Sequence, residues 1–247
     1  MKILIFAIPG ESSMIELNAV TKRYGSLTAV DHVSFSVGQG EYFALLGPNG
    51  AGKTTIVKML LDFTRSTSGT LSVNGISSTH ASCRIAVGYL AENHRIPPQL
   101  SGWQYLRRCA ELLGMDRSDA MRQCRKIVEL IGMQGREQGK VHTYSRGMIQ
   151  RFGLGATLLG NPRLLILDEP TSGLDPIGIM EIRQLLESLK HQGMTILLNS
   201  HFLSEVEKIC DTAAIINHGR LLLKDSISSI VMNGETLEDV FIRLVKG

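Results

Sequence analysis

The first regular pattern along the chain is an alternation of apolar and polar positions between Met14 and Gly47. It covers the segments IELNAV, LTAVDHVSFSV and EYFALLG, which are separated by turn residues such as Tyr24-Gly25 and Gly38-Gln39-Gly40. A period of two predicts half-buried strands. GTLSVNG, residues 69–75, predicts a further piece of a hairpin. We therefore expect an antiparallel β subdomain in the N-terminal part of the chain.

Later segments are continuously apolar rather than alternating. RIAVGYL (residues 84–90), RLLILDEP and MTILLNSH are typical of buried strands, and TAAIINHGRLLL predicts a closing hairpin. IGIMEIRQLLESLKHQG and LSEVEKICD, between and after these strands, have helical spacing. Strands that alternate with helices indicate an α/β fold whose mostly parallel sheet is covered on both faces. Helical segments between about residues 93 and 160 predict a helical subdomain inserted into this core.

Composition excludes several classes of protein. The chain has 247 residues, 43% of them hydrophobic and 20% charged, which is ordinary for a globular domain. A net charge of +3 is too weak a bias to indicate a nucleic-acid partner. The four cysteines form no C-x-x-C pair, and no apolar run approaches the ~18 residues of a membrane span. Residues 1–13 are expected to be a disordered leader, or to result from a start assigned upstream of Met14.

A glycine-rich segment, GPNGAGKTT, lies between a predicted strand and a predicted helix, and it fits the pattern G-x-x-x-x-G-K-[ST]. Its glycines let backbone N–H groups surround a phosphate, and the helix N-terminus adds partial positive charge. Lys53 can reach β- and γ-phosphates, and the Thr54 hydroxyl can bind Mg²⁺. The predicted nucleotide site comprises Gly47, Pro48, Asn49, Gly50, Ala51, Gly52, Lys53, Thr54 and Thr55.

Two carboxylates end the apolar segment LLILDEP. Asp168 stands at the carboxyl end of a predicted strand, where α/β sheets bind ligands, and it can hold Mg²⁺ through water. Glu169 follows it and is a candidate base for an attacking water. An acidic pair here could instead cap a helix, but the phosphate-binding segment upstream favours the catalytic interpretation.

The order GPNGAGKTT, YSRGM, LLILDEP, SGLDP and NSH resembles the ATP-binding subunit of ABC transporters from about Met14 to residue 247. The resemblance implies a P-loop NTPase core that binds ATP and Mg²⁺. It also implies that two subunits, expected to be identical, sandwich two ATP molecules. Each site then combines the P-loop of one subunit with the signature segment of the other. A separate membrane permease is expected as partner, with the ATPase on the cytoplasmic face of the membrane and with no nucleic acid involved.

Further roles follow from matching positions. Tyr24 matches the aromatic residue that stacks on adenine, although it could also be a half-buried tyrosine at a strand end. Asp175 lies in SGLD, residues 172–175, which matches the loop that crosses the dimer interface. His201 matches the switch histidine near the γ-phosphate, so Glu169 and His201 are the predicted catalytic pair. Ser145 is placed to cap a helix whose N–H groups face the partner's γ-phosphate, and Gly147 would allow close approach.

Two positions depart from the family pattern. The usual signature is Leu-Ser-Gly-Gly-Gln, whereas residues 144–148 read Tyr-Ser-Arg-Gly-Met. This variant resembles a branch of exporters for drugs, polysaccharides, haem-related cargo or lipids. Arg146 could add positive charge near phosphate or simply face solvent. Glu92 replaces the glutamine that binds Mg²⁺ and the attacking water, and its carboxylate can still bind the metal.

Three functions are compatible with these motifs. The favoured one is an ATPase subunit that drives a separate permease, most simply an exporter. A soluble ABC ATPase acting on the ribosome or nucleic acid would need a second module or a long coiled coil, and the chain shows neither. A nucleotide-dependent interaction module without turnover is opposed by the presence of both Glu169 and His201.

Overall fold

The computed structural model describes residues 13–246, with ten strands and eight α-helices among them. The strands are β1 (Ser13–Tyr24), β2 (Leu27–Gly38), β3 (Tyr42–Leu46), β4 (Ser68–Val73), β5 (Ile76–Ser77), β6 (Val87–Leu90), β7 (Leu164–Asp168), β8 (Thr195–Asn199), β9 (Thr212–Asn217) and β10 (Arg220–Ser226). The helices are α1 (Lys53–Leu60), α2 (Gly102–Leu112), α3 (Arg117–Leu130), α4 (Arg146–Thr157), α5 (Pro176–Lys190), α6 (Leu203–Ile209), α7 (Ile227–Ile230) and α8 (Leu237–Lys246). Except for Ser13, which begins β1, the predicted leader lies outside the described residues.

The smaller sheet is antiparallel and has the strand order β2-β1-β4-β5, which confirms the predicted N-terminal β subdomain. Leu17 of β1 lies opposite both Phe35 and Leu71, so the apolar positions of three strands share one face. Phe35 stacks on Phe43 of β3, with ring centroids 5.1 Å apart. This contact joins the two sheets through a shared core.

The larger sheet has the order β10-β9-β3-β8-β7-β6. Strands β3, β6, β7, β8 and β9 are parallel, and β10 is an antiparallel edge strand. Every residue of β7 and β8 is buried, as their continuous apolar sequence predicts. Strand β3 differs from its prediction: the alternation that includes EYFALLG indicates a half-buried strand, whereas every residue of β3 is buried in the centre of this sheet. Because the carboxyl ends of parallel strands meet at one edge, the segments after β3, β7 and β8 converge there.

One predicted strand is shorter than its apolar sequence suggests. RIAVGYL predicts a strand over residues 84–90, whereas β6 covers only Val87–Leu90. Residues Ala81–Arg84 form a 3-10 turn, in which the Arg84 guanidinium donates to the Ser78 carbonyl at 2.7 Å. Ile85 is 82% exposed, so its apolar side chain is not part of the core. Hydrophobicity alone therefore placed the start of this strand too early.

Helices α2, α3 and α4 lie between β6 and β7 in the chain. Ser101 and Gln104 form a reciprocal capping box at the start of α2, and Asp116 caps α3. Phe152 of α4 is fully buried against Gly102 and stacks on Tyr144, with ring centroids 5.4 Å apart. We propose residues 93–160 as the boundaries of this helical subdomain. In residues 13–246 no helix has both the length and the apolar character needed to cross a bilayer.

Candidate nucleotide site

The phosphate-binding segment, residues 47–55, connects β3 to α1 and is fixed to its neighbours by backbone contacts. Gly52 precedes α1 with φ +108°, and a Cβ there would stand 2.5 Å from the Ala29 carbonyl oxygen. Only glycine fits this position without displacing backbone. The Gly219 N–H donates to the Ala51 carbonyl at 3.0 Å, so the β9–β10 hairpin supports the loop from the other side.

Lys53 is half-buried at the first position of α1. Its ammonium donates to the carbonyls of Gly47, at 2.5 Å, and Pro48, at 3.1 Å. Burial lowers the pKa of Lys53, and the carboxylates of Glu169 and Asp168 oppose that shift. The Lys53 ammonium thus lies within the phosphate-binding loop. Oxygens of a triphosphate can replace the two carbonyls as its hydrogen-bond acceptors.

Asp168 ends β7 and is 6% exposed. The Asn199 side-chain amide, at the end of the neighbouring strand β8, donates a hydrogen bond to Asp168 Oδ1. Burial raises the pKa of Asp168, as do the nearby carboxylates of Glu169 and Glu92, while the Asn199 hydrogen bond and the Lys53 charge act against them. A buried carboxylate in negative surroundings is poised to accept a cation.

Glu169 and His201 are in direct contact. His201 Nδ1 lies 2.7 Å from Glu169 Oε2, and the His201 backbone N–H lies 3.3 Å from the same oxygen. At this distance an Nδ1–H group donates a hydrogen bond to the ionised form of the Glu169 carboxylate. The Glu169 backbone has φ +52°, and its N–H donates to the Asn199 carbonyl at 2.8 Å. Neighbouring strands therefore hold an uncommon backbone conformation that aims the carboxylate.

A cavity of about 690 Å³ brings most of the predicted residues together. Its lining includes Tyr24, the whole segment 47–55, Glu92, Asp168, Glu169 and His201. The lining also contains residues that sequence analysis missed, namely Leu27, Ala29, Asn199, Ser200, Leu203 and Phe241. Asn199 and Ser200 stand at the end of a buried strand, which was an available signal. Phe241 belongs to α8, and no local pattern connects that helix to the P-loop.

Tyr24 is the last residue of β1 and is 47% exposed at the cavity wall. The Lys22 ammonium lies 4.8 Å from the centroid of its ring and donates to the Arg65 carbonyl at 2.7 Å. A fixed cation over one face orients the ring and leaves its other face for a flat, electron-rich partner.

Three predicted residues lie outside this cavity: Ser145, Gly147 and Asp175. Ser145 caps α4 by accepting a hydrogen bond from the Met148 N–H at 3.2 Å, which is the cap that the sequence predicts. Asp175 caps α5 by accepting from the Gly178 N–H at 2.8 Å. A single chain therefore does not assemble the whole predicted site.

The oxygen donors in the cavity suit Mg²⁺. They are the Thr54 hydroxyl and the carboxylates of Asp168 and Glu92. The buried Asn199 Oδ1 has no hydrogen-bond partner among residues 13–246. Across residues 13–246, no three His, Cys, Asp or Glu side chains are grouped closely enough to hold a metal by themselves. This arrangement fits an ion bound through one or two carboxylates together with substrate phosphates.

Comparisons with known proteins agree with this geometry. The sequence profile of the ABC transporter family matches residues 30–172. The lantibiotic transport ATP-binding protein SrtF of Streptococcus pyogenes is 36% identical, over 92% of this chain and 96% of the relative. The bacitracin transport ATP-binding protein BcrA of Bacillus licheniformis is 40% identical, over 85% of this chain and 69% of the relative.

A solved structure of an ATP-binding subunit of an ABC transporter has a TM-score of 0.84 and 27% identity to this chain. It matches 94% of this chain and 99% of its own. The chain therefore belongs to the ABC transporter family, as an ATP-binding subunit that hydrolyses ATP.

Proposed function

We propose that two copies of this chain close around two ATP molecules and that hydrolysis drives a separate membrane permease. One observation carries this proposal: the cavity contains the P-loop, Asp168 and the Glu169–His201 pair, whereas Ser145 and Gly147 lie outside it. A helix N-terminus with a capping serine and an adjacent glycine is suited to bind phosphate. A second copy can supply that helix to the open side of the cavity.

The residues divide the reaction among them. The Lys53 ammonium and the backbone N–H groups of residues 47–55, of which Pro48 has none, hold the phosphates, while Tyr24 stacks on the adenine. The Thr54 hydroxyl, Asp168 and Glu92 would hold Mg²⁺, which would neutralise charge developing on the phosphate oxygens. Glu169 orients a water and takes its proton as the water oxygen attacks the γ-phosphorus, while the bond from that phosphorus to the bridging oxygen of the β-phosphate breaks and ADP leaves. His201 donates from Nδ1 to Glu169 and keeps that carboxylate in place.

Relatives suggest the direction of transport. The names of similar proteins include lantibiotic transport, bacitracin transport and linearmycin resistance, and the last of these relatives is 35% identical over 85% of this chain. Resistance to a compound is most simply achieved by removing it from the cell. We infer that this subunit acts as a homodimer on the cytoplasmic face of the membrane and energises an export permease, with no nucleic acid involved.

The Glu169→Gln variant tests the proposal. Glutamine keeps the shape and an acceptor oxygen for His201, but it cannot take a proton. We expect kcat for ATP hydrolysis to fall about 10²–10⁴-fold with ATP affinity retained. ATP should then hold the variant as a dimer, measured by light scattering after size-exclusion chromatography.

Glu129→Gln is the matched control, because Glu129 is an exposed carboxylate on α3. It should hydrolyse ATP at the parental rate. Parental turnover by Glu169→Gln would show that Glu169 is not the base, and a variant that stays monomeric with ATP would contradict the sandwich. Purification of the native complex from membranes tests the proposed permease partner, because a membrane protein should co-purify with this chain.

A further inference from the structure

We propose that Arg146 is a positioning residue, which fastens the loop of residues 172–175 to the signature segment, residues 144–148, of its own subunit. The inference rests on the proposed sandwich dimer, because both segments are expected to enter the partner's ATP site. It assigns Arg146 a role within the chain rather than a direct contact with phosphate.

The guanidinium of Arg146 lies directly against the backbone of Gly173. A Cβ built on Gly173 would overlap the guanidinium carbon and both of its terminal nitrogens. Gly173 has φ +68°, which glycine adopts without strain. Because glycine has no side chain, the planar guanidinium can pack against this peptide segment.

Two neighbouring contacts join α4 to the same loop and to α5, which follows the loop. A Cβ on Gly147 would stand 4.0 Å from the Leu174 side chain, so the signature segment and the loop adjoin at a second point. Further along, Arg151 of α4 forms an ion pair with Glu181 of α5 at 3.6 Å. The contact of Arg146 with Gly173 is therefore a third link between α4 and the segment formed by the loop and α5.

The loop leads directly to the catalytic carboxylate. The Ser172 N–H donates to the Glu169 carbonyl at 3.1 Å, and the Leu174 N–H donates to the Thr171 carbonyl at 3.2 Å. A displacement of Gly173 is thus transmitted over a short, hydrogen-bonded turn to Glu169. Within residues 13–246 no carboxylate lies within 4.0 Å of the Arg146 guanidinium, so its packing on Gly173 does not depend on an ion pair.

A double-mutant cycle of Arg146→Ala and Gly173→Ala tests the assignment. Each single change should lower kcat about tenfold and leave KM for MgATP unchanged, because alignment rather than phosphate binding is lost. The double variant should be no worse than the poorer single variant, since both changes remove one contact. Backbone strain from Ala at residue 173 occurs in both backgrounds and cancels in the cycle.

Arg146→Lys and Arg125→Ala complete the set. Lysine has the charge but not the planar group, so it should not restore kcat. Arg125, an exposed residue of α3, should tolerate alanine without loss of activity. If lysine restores activity, or if Arg146→Ala raises KM and adds to the effect of Gly173→Ala, Arg146 binds phosphate and the proposal is wrong.

Hydrogen exchange in the nucleotide-free monomer separates this inference from the dimer proposal. Arg146→Ala should speed exchange at the amides of residues 172–174 at least about tenfold, whether or not the protein dimerises. Unchanged exchange would overturn the inference. A failure of Glu169→Gln to dimerise with ATP would instead contradict the sandwich and leave this exchange result interpretable.

Discussion

Gly147→Ala should separate the stability of the chain from its activity. Gly147 lies in the first turn of α4, and the nearest groups in residues 13–246 to an added Cβ would be the Ser145 hydroxyl at 3.9 Å and the Leu174 side chain at 4.0 Å. Both are ordinary van der Waals distances, so the single chain accepts the methyl group without a clash. Alanine also favours a helix over glycine by about 0.5 kcal/mol, which corresponds to roughly 1–2 °C in Tm for a chain of this size.

The same methyl group should block the dimeric site. In the proposed sandwich the N–H groups of α4 approach a phosphate closely, and a displacement of about 1 Å costs about 10²-fold in rate. We expect a Tm equal to or slightly above that of the parent, measured by calorimetry, together with about 10²-fold lower ATPase activity at saturating MgATP. Parental activity would refute close approach at Gly147, and a Tm several degrees lower would refute the steric reasoning.

Three further changes test other parts of the account. Gly102→Ala places a Cβ that would overlap Cζ at the tip of the buried Phe152 ring, so it should cost about 1–3 kcal/mol of stability and lower Tm; an unchanged Tm would contradict the packing. Burial raises the pKa of Asp168 in the folded protein above its ordinary value. The free energy of unfolding therefore falls as pH rises from the ordinary carboxyl pKa through the pKa in the folded state, because Asp168 then ionises while buried. Asp168→Asn should therefore raise Tm at about pH 7.5 but not at about pH 3, and it should remove Mg²⁺-dependent ATPase activity. A Tm equal to or below that of the parent at the higher pH would contradict the raised pKa. Glu92→Gln should weaken apparent Mg²⁺ affinity about tenfold and strengthen metal-free ATP binding, and no change in either titration would make the carboxylate incidental.

Much of the fold was predictable because its signals are local. The alternating segments IELNAV and LTAVDHVSFSV formed the antiparallel sheet, and the continuously apolar segments formed buried strands. EYFALLG, the third alternating segment, instead became the buried strand β3 of the larger sheet. The residue at which β6 begins within RIAVGYL was not predictable from the sequence. Arg84 is held in a 3-10 turn by a hydrogen bond to Ser78, and Ile85 points into solvent, so tertiary contacts rather than hydrophobicity set the start of β6.

In the candidate site, too, residues with local sequence signals were predictable and residues placed by tertiary contacts were not. Residues 47–55, Asp168 and Glu169 were identified from spacing, because the chemistry of phosphate binding fixes both residue types and their order. Phe241 was missed because α8 reaches the cavity only through the folding of the C-terminal segment. The contact of Arg146 with Gly173 depends on where the loop before α5 lies relative to the start of α4, and sequence alone left Arg146 open between phosphate and solvent.

The most direct test of the composite site is complementation between two inactive variants. Lys53→Ala removes the phosphate ligand of one chain, and Gly147→Ala blocks the signature helix of the other, so each homodimer should be inactive. A mixed dimer retains one intact site, formed by the P-loop of the Gly147→Ala chain and the signature segment of the Lys53→Ala chain. Random assortment of equal amounts predicts about a quarter of the wild-type ATPase rate. Activity of the mixture no greater than the sum of the separate variants would contradict a site shared between two subunits.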